Sequence, residues 1–312
     1  MLNFQEVTIH DKDKLNPFLT KATFRNCDFS FSNIYCWASK YKTSYAIESG
    51  FLFLRFWAGG KKVGYMYPLG DGCLKTALET IIADAKEREE PFRMFALTRK
   101  MFENIEAVFP GKLEYMPSPS WFEYIYNTGD LINLTGKKYQ SKRNHINKFK
   151  KTYRYEYIPI TPEIIPECLD LYSKWCSENG NCNDPSLLDE KVSVERAFAH
   201  FEELGLTGGA LRVDGTLVAY SYGQPITSDT FGVHAEKSLY EIDGGFTMIN
   251  QQFAEQVCAG YAYMNREEDL GLESLRKAKL SYHPAILLEK GMALEKIESE
   301  ETISAKIEPK ES

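Results

Sequence analysis

Apolar and polar positions alternate through the first hundred residues in short runs broken by turn signals. The stretches "TSYAIES" (43–49), "FLFLRFW" (51–57) and "KVGYMYPL" (62–69) are rich in β-branched and aromatic residues, and Ser-Gly and Gly-Gly separate them. That is the pattern of an antiparallel meander. The period then changes: in "LKTALETIIADAKERE" (74–89), Leu74, Leu78, Ile81, Ile82 and Ala85 recur at helical spacing with charges on the other face. A strand at 93–98, a helix near 100–108 and strands around 112–115 and 121–134 complete a first α+β unit.

The second half repeats this order without residue-by-residue identity. Helices are predicted at about 137–151, 162–178 and 187–203, followed by three antiparallel strands within 208–236, with turns at 213–216 and 227–229. A helix at 246–259, the strand "YAYMN" (261–265), a helix near 272–278 and the apolar run "PAILLEK" (284–290) close the pattern. A meander followed by helix, strand, helix and strand is the succession of the GNAT acyltransferase fold. The predicted architecture is therefore α+β, two tandem GNAT-like domains, each a mixed, mostly antiparallel sheet flanked by helices. The first spans 1–134, the second spans 135–294 and carries the active site, and 295–312 is a charged tail without a packed core.

Composition supports two cores: 312 residues with 43% hydrophobic and 13% aromatic content are enough for both. The seven cysteines include no CxxC pair, and the N-terminus has no basic or apolar leader pattern, which points to a reduced, cytoplasmic protein. The five histidines stand far apart, so no metal is expected. No run approaches the ~18 apolar residues of a membrane span, since even 51–57 holds Arg55. The aromatic residues of "FSNIYCWASKY" (31–41) and of "VGYMYPLGDG" (63–72) are assigned to the core of the first domain, with no chemical role.

Charge adds one local feature. The chain carries −7 overall, yet eight Lys/Arg and no Asp/Glu lie between Lys137 and Arg154, which leaves −7 − 8 = −15 for the remainder. So acidic a chain will not coat DNA, and a bounded anionic ligand fits better. On a helical wheel Tyr139, Ile146, Phe149 and Tyr153 form one stripe and the cations spread over the rest. Either this is a solvated interdomain helix, or Lys142, Arg143 and Lys148 contact phosphates while nearby tyrosines stack on unpaired bases such as a tRNA 3′ end.

Within the second domain, the position of the pyrophosphate loop of a CoA-dependent GNAT reads Tyr240-Glu241-Ile242-Asp243-Gly244-Gly245. Two carboxylates there repel a diphosphate, which disfavours ordinary CoA binding. His234 and Glu236, two apart on the preceding strand, are expected to share a face and to serve proton transfer, or else to form a polar pair at a strand end. Asn265, Glu268 and Asp269 follow the "YAYMN" strand and could hold an ammonium group, or Asp269 caps the next helix. Arg276 and Lys279 are a counter-charge for a carboxylate or phosphate, or exposed helix residues, and Asn250 lies on the intervening helix close to the same pocket. No nucleophile elbow, P-loop or dinucleotide fingerprint occurs.

The blocks "KSLYEIDGGFTMINQQFA" (237–254) and "YMNREEDLGLESLRKAKLSYHP" (263–284) resemble the DUF2156 proteins, relatives of the lysylphosphatidylglycerol synthase C-terminal domain and, more remotely, of the FemABX peptidyltransferases. The second block, N-x-x-x-D-L-G followed by L-R-x-x-K, carries most of the likeness, which covers nearly 1–290. The resemblance implies transfer of an aminoacyl group from aminoacyl-tRNA to an amine or hydroxyl acceptor, with no bound cofactor. It leaves open an ordinary acyl-CoA N-acyltransferase and a non-catalytic module that binds a nucleotide or RNA.

Overall fold

The computed structural model describes residues 2–57, 63–178 and 184–296. The first sheet is formed by β1 (Gln5–Glu6), β2 (Ser44–Glu48), β3 (Phe51–Trp57), β4 (Val63–Tyr65), β5 (Leu69–Gly70), β6 (Arg93–Thr98) and β7 (Leu113–Pro117). Around it lie α1 (Lys12–Leu19), α2 (Phe31–Cys36), α3 (Ala38–Tyr41), α4 (Leu74–Glu87) and α5 (Arg99–Val108). The chain then enters β8 (Glu123–Asn127), α6 (Thr128–Asn133), α7 (Gln140–Thr152), β9 (Tyr155–Pro159), α8 (Ile165–Glu178), α9 (Pro185–Ala199) and α10 (Phe201–Leu204). It ends with β10 (Thr207–Val213), β11 (Thr216–Pro225), β12 (Thr230–Ser238), α11 (Gly245–Gln256), β13 (Tyr263–Asn265), α12 (Glu273–Leu280), β14 (Ile286–Leu288) and β15 (Lys290–Glu295).

The fold is the predicted α+β class, with two mixed, mostly antiparallel sheets. Strand order is β1-β2-β3-β4-β6-β15-β7 in the first, with β5 beside β3, and β14-β8-β13-β12-β11-β10-β9 in the second. Each sheet has one parallel pair among the described residues, β4 with β6 and β12 with β13, and both pairs are short. The pairing covers one residue pair in the first sheet and three in the second, and the end of the β12–β13 pairing, past Gly232/Asn265, is the wedge of the second sheet.

The strands do not respect a cut at 134/135. β8, from the first half, pairs with β13 and β14, while β15, from the end of the chain, inserts between β6 and β7. The exchange ties the sheets together, so that Glu295, expected to begin the tail, instead pairs with Leu113. Residues 297–312 lie outside the described residues, as does Cys182.

Local chemistry explains two further departures from the predicted elements. The strand expected over 121–134 stops at Asn127, because Thr128–Asn133 turn into α6, which ends with Leu134 in the left-handed region (φ 49°). The helix expected over 187–203 breaks at His200 (φ −126°), giving α9 and α10. The predicted stripe on α7 holds: Tyr139, Ile146 and Phe149 are buried in the core shared with α6 and α11. On the other face of the second sheet, Tyr220, Tyr222 and Ala235 join Phe198 and Phe201 in a core continuous with the first sheet. That sheet is thus covered on both faces, which is why β11 is buried over eight successive positions.

Candidate active site

β12 and β13 pair only from Thr230/Tyr263 to Gly232/Asn265, and the wedge opens after that. A bulge interrupts the β11–β12 ladder at this level: Gly223 pairs with Val233 and Tyr222 with Ala235, so His234 has no register partner. The extra residue breaks the alternation of faces. Val233 packs in the core of α11, whereas Ala235 packs in the core of the opposite face. The expected common face of His234 and Glu236 is therefore lost. His234 Nδ1 lies 2.7 Å from Glu267 Oε1 and Nε2 lies 3.0 Å from Ser32 Oγ. Glu236 instead accepts from Asn250 Nδ2 (2.9 Å) and Arg266 Nη2 (2.7 Å), on the α11 side.

A cavity of about 370 Å³ lies where the two sheets meet. Four carboxylates, Asp28, Glu123, Glu267 and Glu268, line it together with Lys290. Lys290 is fully buried and donates to Asp28 Oδ2 (2.6 Å), Glu123 Oε1 (2.6 Å) and Glu268 Oε1 (2.5 Å). The backbone N–H of Cys27 and the amide of Asn265 also reach Glu123. Burial pushes Glu123 up to about 8 and Glu268 up to about 7, with Lys290 opposing the rise in both. For Lys290, burial works against the charge, and the surrounding carboxylates overcome it and hold the ammonium protonated.

Glu267 is set by local backbone chemistry. Asn265 Oδ1 accepts from the Glu267 N–H (2.8 Å), a turn that leaves Glu267 at φ 59°. Its Oε1 accepts from both His234 and Asn33. Although burial pushes its pKa up, these bonds hold Glu267 below the usual carboxylate range. Ala96 and Leu270, also on the cavity wall, likewise have left-handed backbone (φ 54° each), and such strain gathers at functional sites.

Five aromatic rings make up much of the rest of the wall, beside Ile34, Thr43, Met66 and Lys40. Trp37, Tyr41, Phe56, Phe95 and Trp121 form a chain of rings with centroids 5.5 to 6.2 Å apart. Lys40 already lies over Trp37 and Tyr41 at 5.4 and 5.2 Å. Carboxylates below and ring faces around are complementary to a cation. Phe31 and Tyr35 lie in the core expected for them, while Trp37, Tyr41 and Met66 also line the cavity.

Other expected site residues have structural partners. Asp269 is fully buried and accepts from Tyr124 Oη (2.6 Å), Arg276 Nε (2.6 Å) and the Gly271 N–H (2.8 Å). Lys279 donates to the carbonyls of Arg266 and Glu268 and so ties α12 to the loop that presents Glu267. Burial, with Arg266 nearby, pushes Lys279 down to about 8. On α7, Arg143 donates to the carbonyls of Leu134 and Gly136, and Lys148 pairs with Asp243. Only Lys142 of those three turns inward, its Nζ 3.8 Å from the centre of the Tyr282 ring.

Asp28, Glu123, Glu267 and Lys290 were not singled out from the sequence, nor was Arg266. Glu123 and Lys290 did carry a signal: each is a charge inside an apolar strand pattern, "WFEYIYN" and "PAILLEKGMAL", and such a charge is buried only when paired.

Residues 20–293 match the family described as phosphatidylglycerol lysyltransferase, C-terminal. A protein of Mycoplasmoides gallisepticum is 27% identical over 174 residues, so the chain spans about half the length (54%) of that curated relative. A Bacteroides thetaiotaomicron protein of unknown function has a crystal structure with TM-score 0.90 and 45% identity, covering 95% of this chain and 100% of that one. The L-PGS structure from Bacillus licheniformis (TM-score 0.64, 14% identity, 95% of each chain) and FemX (TM-score 0.60, 10% identity, 99% and 100%) share the fold. The chain belongs to the family described as phosphatidylglycerol lysyltransferase, C-terminal (DUF2156).

Proposed function

We propose that this chain is an acyltransferase that moves an aminoacyl group from aminoacyl-tRNA to an amine seated in the cavity between the sheets. The cavity carries the reading: four carboxylates against two lysines, Lys290 and Lys40, with five aromatic rings on the wall, leave an excess of acid that suits an ammonium-bearing acceptor. An acyl ester entering through the β12–β13 wedge from the α7 side would meet the amine at Glu267. The ammonium gives a proton to the Glu267–His234 pair, the amine nitrogen bonds to the acyl carbon, and the ester C–O bond breaks. The departing ribose oxygen takes up the second proton, which the nitrogen loses as it becomes the amide, and the Glu267–His234 pair returns the first to solvent, so charge and atoms balance. Glu267 lines the cavity and is the group that touches the amine. His234, held between Ser32 and Glu267, positions it. Such a donor belongs to the cytoplasm.

The family's phosphatidylglycerol lysyltransferase members supply the precedent for acyl transfer, and FemX supplies it on the same fold. The test is product formation. Purified protein is incubated with charged tRNAs or acyl-CoAs and a panel of amines and hydroxyl compounds, and products are identified by mass spectrometry. Aminoacylated amine formed from tRNA is the expected result. Transfer from acyl-CoA alone, or to hydroxyl acceptors alone, would replace the donor or the acceptor in this reading, and no product with folded protein would remove it.

A further inference from the structure

Between α7, α11 and the end of β13, two cations stand against one ring. Lys142 Nζ lies 3.8 Å and Arg266 Cζ 4.9 Å from the centre of Tyr282. Arg266 spends Nη2 on Glu236, but its buried Nη1 has no hydrogen-bond partner. Asn250, 1% exposed, donates Nδ2 to Glu236 and leaves a buried Oδ1 without a partner. The amide orientation is fixed, because turning it would set its oxygen against the Glu236 carboxylate. Two cations and one carboxylate leave the cluster at +1. A buried donor and a buried acceptor left unmade cost more than a hydrogen bond returns, so such atoms call for a partner.

We propose that Lys142, Arg266 and Asn250 form the seat for a phosphate group flanked by a hydroxyl, the chemistry of a phosphorylated ribose. The phosphate oxygen meets Lys142 and Arg266 Nη1, and the neighbouring O–H donates to Asn250 Oδ1. Glu236 and Tyr282 hold the two cations in place. The basic segment of α7 therefore contributes one inward lysine to this seat; Arg143 and Lys148 serve contacts within the chain. The seat rests on the proposed entry of a nucleotide-borne donor through the wedge. The same chemistry occurs in an RNA 3′ end and in the 3′-phosphorylated ribose of CoA.

The first probe is inorganic phosphate, followed by NMR of the lysine side chains and by calorimetry on the full chain. Burial beside Arg266 pushes Lys142 down to about 8. Bound phosphate should raise that value, and K142M should weaken phosphate binding at least about tenfold, with K142R restoring most of it. A Lys142 signal indifferent to phosphate, or equal affinity of K142M and the parent, overturns the seat. A CCA trinucleotide and CoA then compete against phosphate. Displacement by either one supports the seat and names its source, and displacement by neither overturns it. Because the readout is binding, a filled seat without acyl transfer removes the transferase reading alone. Transfer that is unchanged in K142M removes the seat alone.

Discussion

Replacing Lys290 by Met strips the shared cation from one buried and two half-buried carboxylates, Glu123, Asp28 and Glu268, while keeping most of the side-chain volume. Lys290 and Glu123 are each about 1% exposed, and the three bonds from the ammonium are 2.5 to 2.6 Å long. Breaking a buried pair by removing one partner costs about 3–5 kcal/mol, because the remaining charge stays behind. That cost depends on pH. Glu123 and Glu268 have folded pKa values of about 8 and about 7, above the ordinary 4.5. Between pH 4.5 and 8 the folded protein therefore binds more protons at these groups than the unfolded chain. Their contribution to stability is fully present at the acid end of that window and is lost as pH rises through 7 to 8. Without Lys290 both acids titrate higher still, so at pH 5.5 they are neutral in the variant and their charge penalty disappears, leaving only the half-buried Asp28 without its cation. Urea unfolding of parent and K290M at pH 5.5, 7.0 and 8.5 measures this. The expected deficit is about 3–5 kcal/mol at pH 8.5, shrinking to roughly 1–2 kcal/mol of lost hydrogen bonds at pH 5.5. A deficit that is the same at all three pH values would mean that Lys290 acts through packing, and the electrostatic reasoning would fail.

Three further outcomes follow from the geometry. Gly244 precedes α11 at φ 81°, and a Cβ there would meet the His145 carbonyl oxygen at 2.9 Å; Gly244→Ala should cost about 1–3 kcal/mol in denaturant unfolding, since strain and clash add. Arg143→Ala removes donors to the Leu134 and Gly136 carbonyls and should cost about 1–2 kcal/mol, while the salt dependence of any RNA binding stays unaltered; a flattened slope would return Arg143 to the phosphate-contacting set. Trp121→Ala opens the aromatic wall beside Phe95 and should raise the KM for a cationic acceptor roughly two- to fivefold with little change in kcat, as expected for a cation–ring contact of about 0.5–1 kcal/mol; a loss confined to kcat would remove the ring from acceptor binding.

The element order was legible because periodicity reports local burial, and the two units share one succession of elements. Strand exchange was not legible. Nothing in "YIYN" says that β8 will pair with β13, and nothing in "KGMALE" says that β15 will insert between β6 and β7, because pairing partners are set by tertiary packing. The same limit explains the site. His234 was visible as a lone imidazole on a strand, but its partner Glu267 lies 33 residues away, and the expected partner Glu236 was turned aside by a one-residue bulge. The basic segment was conspicuous for its charge, yet Arg143 and Lys148 bind within the chain, and Lys142 alone among those three faces inward. The cavity, assembled from residues 27 to 290, needs both sheets before it exists.

The most direct measurement is the rate at which a labelled aminoacyl group passes from charged tRNA to an amine acceptor, compared between the parent chain and Glu267→Gln. If Glu267 and His234 accept the ammonium proton, E267Q should bind acceptor within a few-fold of the parent and lose roughly 10²–10⁴ in kcat. Transfer by E267Q at the parental rate, or no transfer by the parent to any amine, would contradict the proposed reaction.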